Sequence, residues 1–169
     1  KWEESDVFNP AATVKDGKIV VLYRAEDNSA QGIGKRTSRI GYAESADGVT
    51  MKRLDSPVLF PGGDEFESIE CPGGCEDPRV AMTEDGLYVM LYTAWNRKTP
   101  RLAVATSKDL KNWTKHGLAF EKAYDGRFAR IATKSASILT KVKGGKLVID
   151  KVDGKYFMYW GEYAVHAAT

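Results

Sequence analysis

Asp77 and Glu162 are the two carboxylates whose surroundings could support glycosidic bond cleavage. That reaction needs one acid to protonate the leaving oxygen and one base to activate water, while charged forks and amides fix the sugar hydroxyls. Asp77 lies in Glu-Cys-Pro-Gly-Gly-Cys-Glu-Asp-Pro-Arg-Val, residues 70–80, where Gly73 and Gly74 allow positive φ and close backbone approach. Pro78 biases Asp77 towards an extended conformation with its carboxylate held out from the chain, and Arg79 follows. Glu162 closes a Tyr-Phe-Met-Tyr-Trp-Gly run, Arg24 is followed by Glu26, Arg39 opens an Ile-Gly-Tyr-Ala run, and Asn9, like Asp77, precedes a proline. Taken singly, each Arg or Glu reads equally well as a satisfied surface ion pair. What joins them is the repeat in which they sit.

No stretch shows a sustained helical period, and short alternating runs bounded by Asp-Gly, Gly-Lys and Gly-Gly recur throughout. The chain therefore reads as all-β. Strands are expected at 11–14, 19–24, 39–45, 51–54, 80–83, 88–94, 101–107, 114–118, 137–142, 146–151, 156–162 and 165–168. Hairpin turns are expected at Asp16-Gly17, Asp85-Gly86 and Asp153-Gly154, with glycine where positive φ is wanted. Each turn leads into a strand carrying an aromatic, and Tyr23, Tyr92 and Tyr159 recur at intervals of 69 and 67 residues. Ile-Gly-Tyr-Ala-Glu-Ser at 40–45 is echoed by Leu-Ala-Val-Ala-Thr-Ser at 102–107, and 165–169 begins a third copy. About four short strands per copy is the signature of propeller blades. Blades are expected at 1–60, 61–130 and 131–169, the last incomplete, as one partial catalytic domain of a longer protein. Asn9 and Asp77 would each stand just before the innermost strand of a blade and point into the central funnel.

Composition excludes several other classes. With 25 basic and 23 acidic residues the net charge is +2, and the most basic stretch, 141–155, carries Asp150 and Asp153. It reads as a solvated hairpin, and no nucleic-acid partner is expected. No apolar run is long enough to cross a membrane. Cys71 and Cys75, with only His116 and His166 elsewhere, are too few ligands at the wrong spacings for structural zinc. A local disulfide or two buried thiols are the alternatives.

The motifs Asp-Val-Phe-Asn-Pro-Ala-Ala at 6–12, Tyr-Arg-Ala-Glu-Asp at 23–27, Ser-Arg-Ile-Gly-Tyr-Ala-Glu-Ser-Ala-Asp-Gly at 38–48 and Glu-Asp-Pro-Arg-Val at 76–80 stand in a telling order. Together they resemble glycoside hydrolase family 130 over nearly the whole chain. That resemblance implies a five-bladed β-propeller, of which this chain supplies roughly the first half, acting on β-linked mannosides as an inverting hydrolase or phosphorylase. It implies Asp77 as catalytic acid and Asn9, Arg24, Arg39 and Arg79 in the mannose subsite, with Glu26 beside them. The Lys-Ser-Ala-Ser and Tyr-Trp-Gly-Glu segments at 134–137 and 159–162 are similar to the β-1,2-mannosidase branch, with Glu162 as water-activating base. Lys134, Arg127 and Arg130 are close enough in sequence to form an anion site, which keeps a phosphorylase releasing mannose 1-phosphate as the alternative. A non-catalytic carbohydrate-binding propeller is a further one. No metal or other cofactor is implied, and inorganic phosphate would be a co-substrate only of the phosphorylase. The expected partner is a mannose-containing oligosaccharide. A hydrolase of this kind suits a periplasmic or secreted location and a phosphorylase the cytoplasm.

Overall fold

A computed structural model describes residues 1–169. Strands β1 (Asp6–Lys15), β2 (Lys18–Glu26), β3 (Ser38–Ser45) and β4 (Lys52–Arg53) pair antiparallel in chain order. After the one-turn helix α1 (Glu67–Glu70), β5 (Gly74–Met82), β6 (Tyr88–Trp95), β7 (Pro100–Ser107) and β8 (Thr114–Leu118) repeat the same meander. A third unit joins β9 (Ser137–Ile138), β14 (Met158–Gly161) and β15 (Val165–Ala168). Between β9 and β14 the chain makes two hairpins. One pairs β10 (Thr140–Lys143) with β11 (Lys146–Ile149), and the other pairs β12 (Lys151–Val152) with β13 (Lys155–Tyr156).

Turn chemistry explains the closures. Lys15 faces Lys18 across Asp16 and Gly17, and Val152 faces Lys155 across Asp153 and Gly154; all four turn residues have positive φ. This is the two-residue loop whose twist matches antiparallel strands, and it requires residues that tolerate the left-handed region. The meanders pack face to face. Val20, Leu22, Ile40 and Tyr42 of the first join Val80, Met90, Tyr92 and Ala103 of the second in one buried cluster. Leu91 and Leu102 then join Phe120, Ala136 and Trp160 in a second cluster that carries the packing on to the third unit. Successive sheets stacked in this way are propeller blades, with β1 and β5 as neighbouring inner strands.

Two expectations are corrected in the third unit. Residues 137–142 and 146–151 do not form two continuous strands. β9 pairs with β14, whereas β10 leaves it to pair with β11, so an inserted hairpin branches off the inner strand. The inner strand resumes at β12, which pairs with β13 next to β14. The aromatic repeat also shifts by one residue. Ala11 pairs with Leu22, Arg79 with Leu91 and Ser137 with Tyr159, so the counterpart of Tyr23 and Tyr92 is Trp160. Burial agrees: Tyr23, Tyr92 and Trp160 are buried, whereas Tyr159 is 54% exposed. Sequence spacing alone could not register a strand interrupted by an insert, because a one-residue slip exchanges its faces.

The turn after the third strand is the same in the first two blades. Asp47 Oδ1 accepts from the amides of Val49 and Thr50, and Asp109 Oδ1 accepts from those of Lys111 and Asn112 at 2.9 and 2.7 Å. Ser45 and Ser107 complete each turn by accepting from the amides of Gly48 and Leu110. Burial opposes ionisation of Asp109, but the donors from Asn112, Lys111 and Ser107 hold its carboxyl well below the usual carboxylate range. Asp109→Ala is expected to cost about 1 kcal/mol, near the low end for such bonds because water can replace them. This corresponds to a melting temperature lower by about 2–4 °C in calorimetry. A group with a depressed folded pKa stabilises above its unfolded value, so the deficit should be full at neutral pH and fade as pH falls below about 4.

Candidate active site

The inner strands of the first two blades carry matching irregularities. A β-bulge separates Phe8 from Ala11 in β1, and another separates Glu76 from Arg79 in β5. Asn9 and Asp77 sit in these bulges at φ 46° and 51°, the left-handed region that Asn and Asp tolerate better than most residues. Two expectations are corrected here: Asp77 is not in the extended conformation that Pro78 favours, and Asn9 and Asp77 lie within β1 and β5 rather than ahead of them. The bulge overrides the local bias, because an extra residue on one side of the ladder re-aims its side chain. The two side chains meet: Asn9 Nδ2 donates to Asp77 Oδ1 at 2.8 Å. Ser135, at φ 57°, occupies the corresponding place ahead of β9, which makes Lys134 the counterpart of Phe8 and Glu76.

Arg24 is the hub of the site. It is nearly fully buried on β2, with Nη2 2.5 Å from Glu26 Oε1 and 2.8 Å from Glu76 Oε1, and Nη1 3.2 Å from Asp77 Oδ1. Its Nε donates to Ser38 Oγ at 3.1 Å, and its guanidinium lies 4.7 Å from the centre of the Phe8 ring. Such a planar fork can hold several acceptors at once, which a lysine ammonium cannot do in this geometry. The glycines at 73 and 74 bring Ser38 into place. Gly74, at φ 108°, pairs with Ser38, and any side chain there would collide with the Ser38 backbone. Asp77 Oδ1 thus takes both protein hydrogen bonds, and Oδ2 takes none.

The other residues singled out from the sequence lie apart from this hub. Arg39 Nη1 pairs with Asp27 at 2.7 Å, and Asp27 is held down to about 2: burial opposes this, but bonds from Ser29, Arg39 and Thr37 outweigh it. Arg79 is exposed and donates to the Pro78 carbonyl at 2.9 Å. It lines a cleft between the inner strands together with Pro10, Ala11, Val80 and Ser137. Glu162 has Lys134 as its ion partner, at 3.4 Å, rather than any group of the Arg24 cluster. It opens onto a broad apolar groove walled by Phe120, Tyr124, Phe128 and Trp160. Cys71 and Cys75 are both free thiols, and burial pushes that of Cys75 far up.

Glu76 and Ser38 were missed. Glu76 is buried, and desolvation pushes its carboxyl up to about 7, with Arg24 opposing and Asp77 adding. The available signal was positional: in the first copy the same place is held by the aromatic Phe8, so an acid there is out of pattern.

Residues 3–169 match a family model described as beta-1,4-mannooligosaccharide phosphorylase. A 1,2-beta-oligomannan phosphorylase from Thermoanaerobacter sp. (strain X514) is 34% identical over 96% of the chain. The chain spans about half the length of the curated relatives it matches, 48% for this one. A glycosyl hydrolase structure from Bacteroides ovatus is 64% identical, with TM-score 0.95, over 98% of this chain and 46% of its own. A further structure is 65% identical, with TM-score 0.95, over the same shares. It is described in the words "the GH130 family of mannoside phosphorylases contains glycoside hydrolases that target beta-1,2 mannosidic linkages in Candida mannan".

Proposed function

Because the chain belongs to glycoside hydrolase family 130 and builds roughly half of that family's five-bladed all-β propeller, we propose that the protein carrying it cleaves β-1,2-linked mannosides by direct hydrolysis with inversion. In this reading Asp77 is the acid, presented by its bulge with Oδ2 open. Asn9 and Arg24 hold its other oxygen, Glu26 and Ser38 anchor Arg24, and Arg39 and Arg79 contact sugar hydroxyls from the rim. Glu162 activates the water.

The observation that carries hydrolysis rather than phosphorolysis is the Lys134–Glu162 pair at 3.4 Å. A phosphorylase must gather unpaired cations around a phosphate. Here the lysine placed to do so already faces a carboxylate, which would repel that anion. The 65% identical structure described for hydrolases supports the same choice. Phosphorolysis is the second reading, favoured by the 34% identical phosphorylase and by Arg127, which lies over the Phe128 ring at 5.8 Å rather than against a carboxylate.

Incubating the full-length protein with β-1,2-mannobiose separates the two. Free mannose should appear at the same rate with and without inorganic phosphate. Turnover only with phosphate, yielding mannose 1-phosphate, would establish the second reading instead.

A further inference from the structure

The bulge that presents Asp77 recurs in each blade. In β1 the ladder steps from Phe8 opposite Arg24 to Ala11 opposite Leu22, so Asn9 and Pro10 lie against Tyr23 alone. In β5 it steps from Glu76 opposite Thr93 to Arg79 opposite Leu91, which leaves Asp77 and Pro78 against Tyr92. In the third blade the Gly161 amide donates to the Lys134 carbonyl at 3.0 Å and Ser137 pairs with Tyr159, which leaves Ser135 and Ala136 against Trp160. Asn9, Asp77 and Ser135 accordingly share one backbone conformation, at φ 46°, 51° and 57°. The strands that carry them converge: Pro10, Ala11, Arg79, Val80, Ser137 and Ile138, all just beyond the bulge positions, line a single cleft. The three side chains therefore stand at one level around its rim.

Neighbours in this ring differ in reach. Asn9 spans the gap to Asp77 and donates to its Oδ1 at 2.8 Å. Ser135, on the other flank of Asp77, ends at a hydroxyl on Cβ, is exposed, and has no hydrogen-bond partner within the chain. Serine does not ease a left-handed backbone as Asn, Asp and Gly do, and residues held in such conformations concentrate at ligand sites. Lys134, the residue before it, faces Glu162 at 3.4 Å. A sugar reaching from Asp77 towards Glu162 passes Ser135.

We propose that Ser135 is a substrate-binding residue: its hydroxyl holds a hydroxyl of the mannose unit bound against Asp77, and its shortness keeps the Oδ2 side of Asp77 open. A serine hydroxyl can donate to a sugar hydroxyl or accept from it. An asparagine in its place would repeat the Asn9 contact on the other flank of Asp77 and close the gap. The inference rests on the reading of Asp77 as the acid.

The test compares wild type, Ser135→Gly, Ser135→Asn and Asp77→Asn in the full-length protein. It reads kcat/KM for β-1,2-mannobiose, with phosphate present so that either mode of cleavage is detected, and the melting temperature. Glycine and asparagine both accept the left-handed region, so both variants should melt within a few degrees of wild type. Ser135→Gly should lose about three- to tenfold in kcat/KM, the worth of one hydrogen bond. Ser135→Asn should lose about 10²-fold despite its better backbone fit, because it displaces the sugar. An unchanged Ser135→Gly, or a Ser135→Asn no slower than Ser135→Gly, beside an inactive Asp77→Asn overturns the role of Ser135 alone. Rate losses that only follow a fall in melting temperature, or failure of both variants to fold, overturn it as well, since the serine would then serve the fold. An active Asp77→Asn overturns both this role and the assignment of the acid.

Discussion

Asp77→Asn is expected to lower kcat for mannoside cleavage by about 10²- to 10⁴-fold while leaving sugar binding within a few-fold of wild type. The substitution removes the ionisable proton and little else. The amide oxygen can still accept from Asn9 Nδ2 and Arg24 Nη1, which now hold Oδ1 at 2.8 and 3.2 Å, so the bulge and the hub keep their geometry. The loss should therefore appear in kcat rather than in KM, the pattern of an interaction made only in the transition state. Calorimetric binding of mannose alongside single-turnover rates gives the comparison. If kcat falls less than tenfold, the acid lies elsewhere; if binding and rate fall together, Asp77 holds substrate and does not donate a proton.

Arg24→Met should produce the largest loss of stability. The arginine is 4% exposed and supplies the only fully committed cation to Glu26, Glu76 and Asp77. Breaking a buried ion pair from one side costs about 3–5 kcal/mol, because the partner charges remain buried without compensation. For a chain of this size that lowers the melting temperature by roughly 6–20 °C. The pH dependence identifies the cause. Without the guanidinium the remaining carboxyls gain stability from protonation, and a group with a raised folded pKa loses its contribution as pH rises through that value. The deficit of Arg24→Met should thus shrink at pH 5 and widen at pH 8. A deficit of equal size at both would mean that the arginine stem packs while its charge does little. Arg24→Lys should recover part of the stability and little of the activity, since a point charge cannot replace the fork that touches Glu26, Glu76, Asp77 and Ser38 together.

The strand elements and the repeat were open to reading because their causes are local. Alternating apolar residues, Asp-Gly turns and paired Ser-x-Asp turns each act within a few residues, and the hairpins at Asp16-Gly17 and Asp153-Gly154 form where those signals lie. The convergence of Asn9 and Asp77 could be anticipated from their equivalent places in two copies of the repeat. The backbone conformation that achieves it could not, because a bulge depends on the partner strand as well as on the proline beside it. In the third unit the inserted hairpin hid the register, which is why the third aromatic is Trp160 and not Tyr159.

By itself, the sequence determined an all-β repeating chain and the propeller it contributes to, and it singled out the segment at 70–80 that carries the proposed acid. These follow from periodicity, turn residues and motif order, none of which requires knowing what lies across the fold. Only the tertiary structure decided that Arg24 is the hub, that Glu76 and Ser38 belong to it, and that Arg39, Arg79 and Glu162 keep partners of their own. Charges find partners through space. Which of several carboxylates a buried guanidinium holds is set by the packing of strands more than fifty residues apart, and Gly74 pressing against Ser38 is what brings these together.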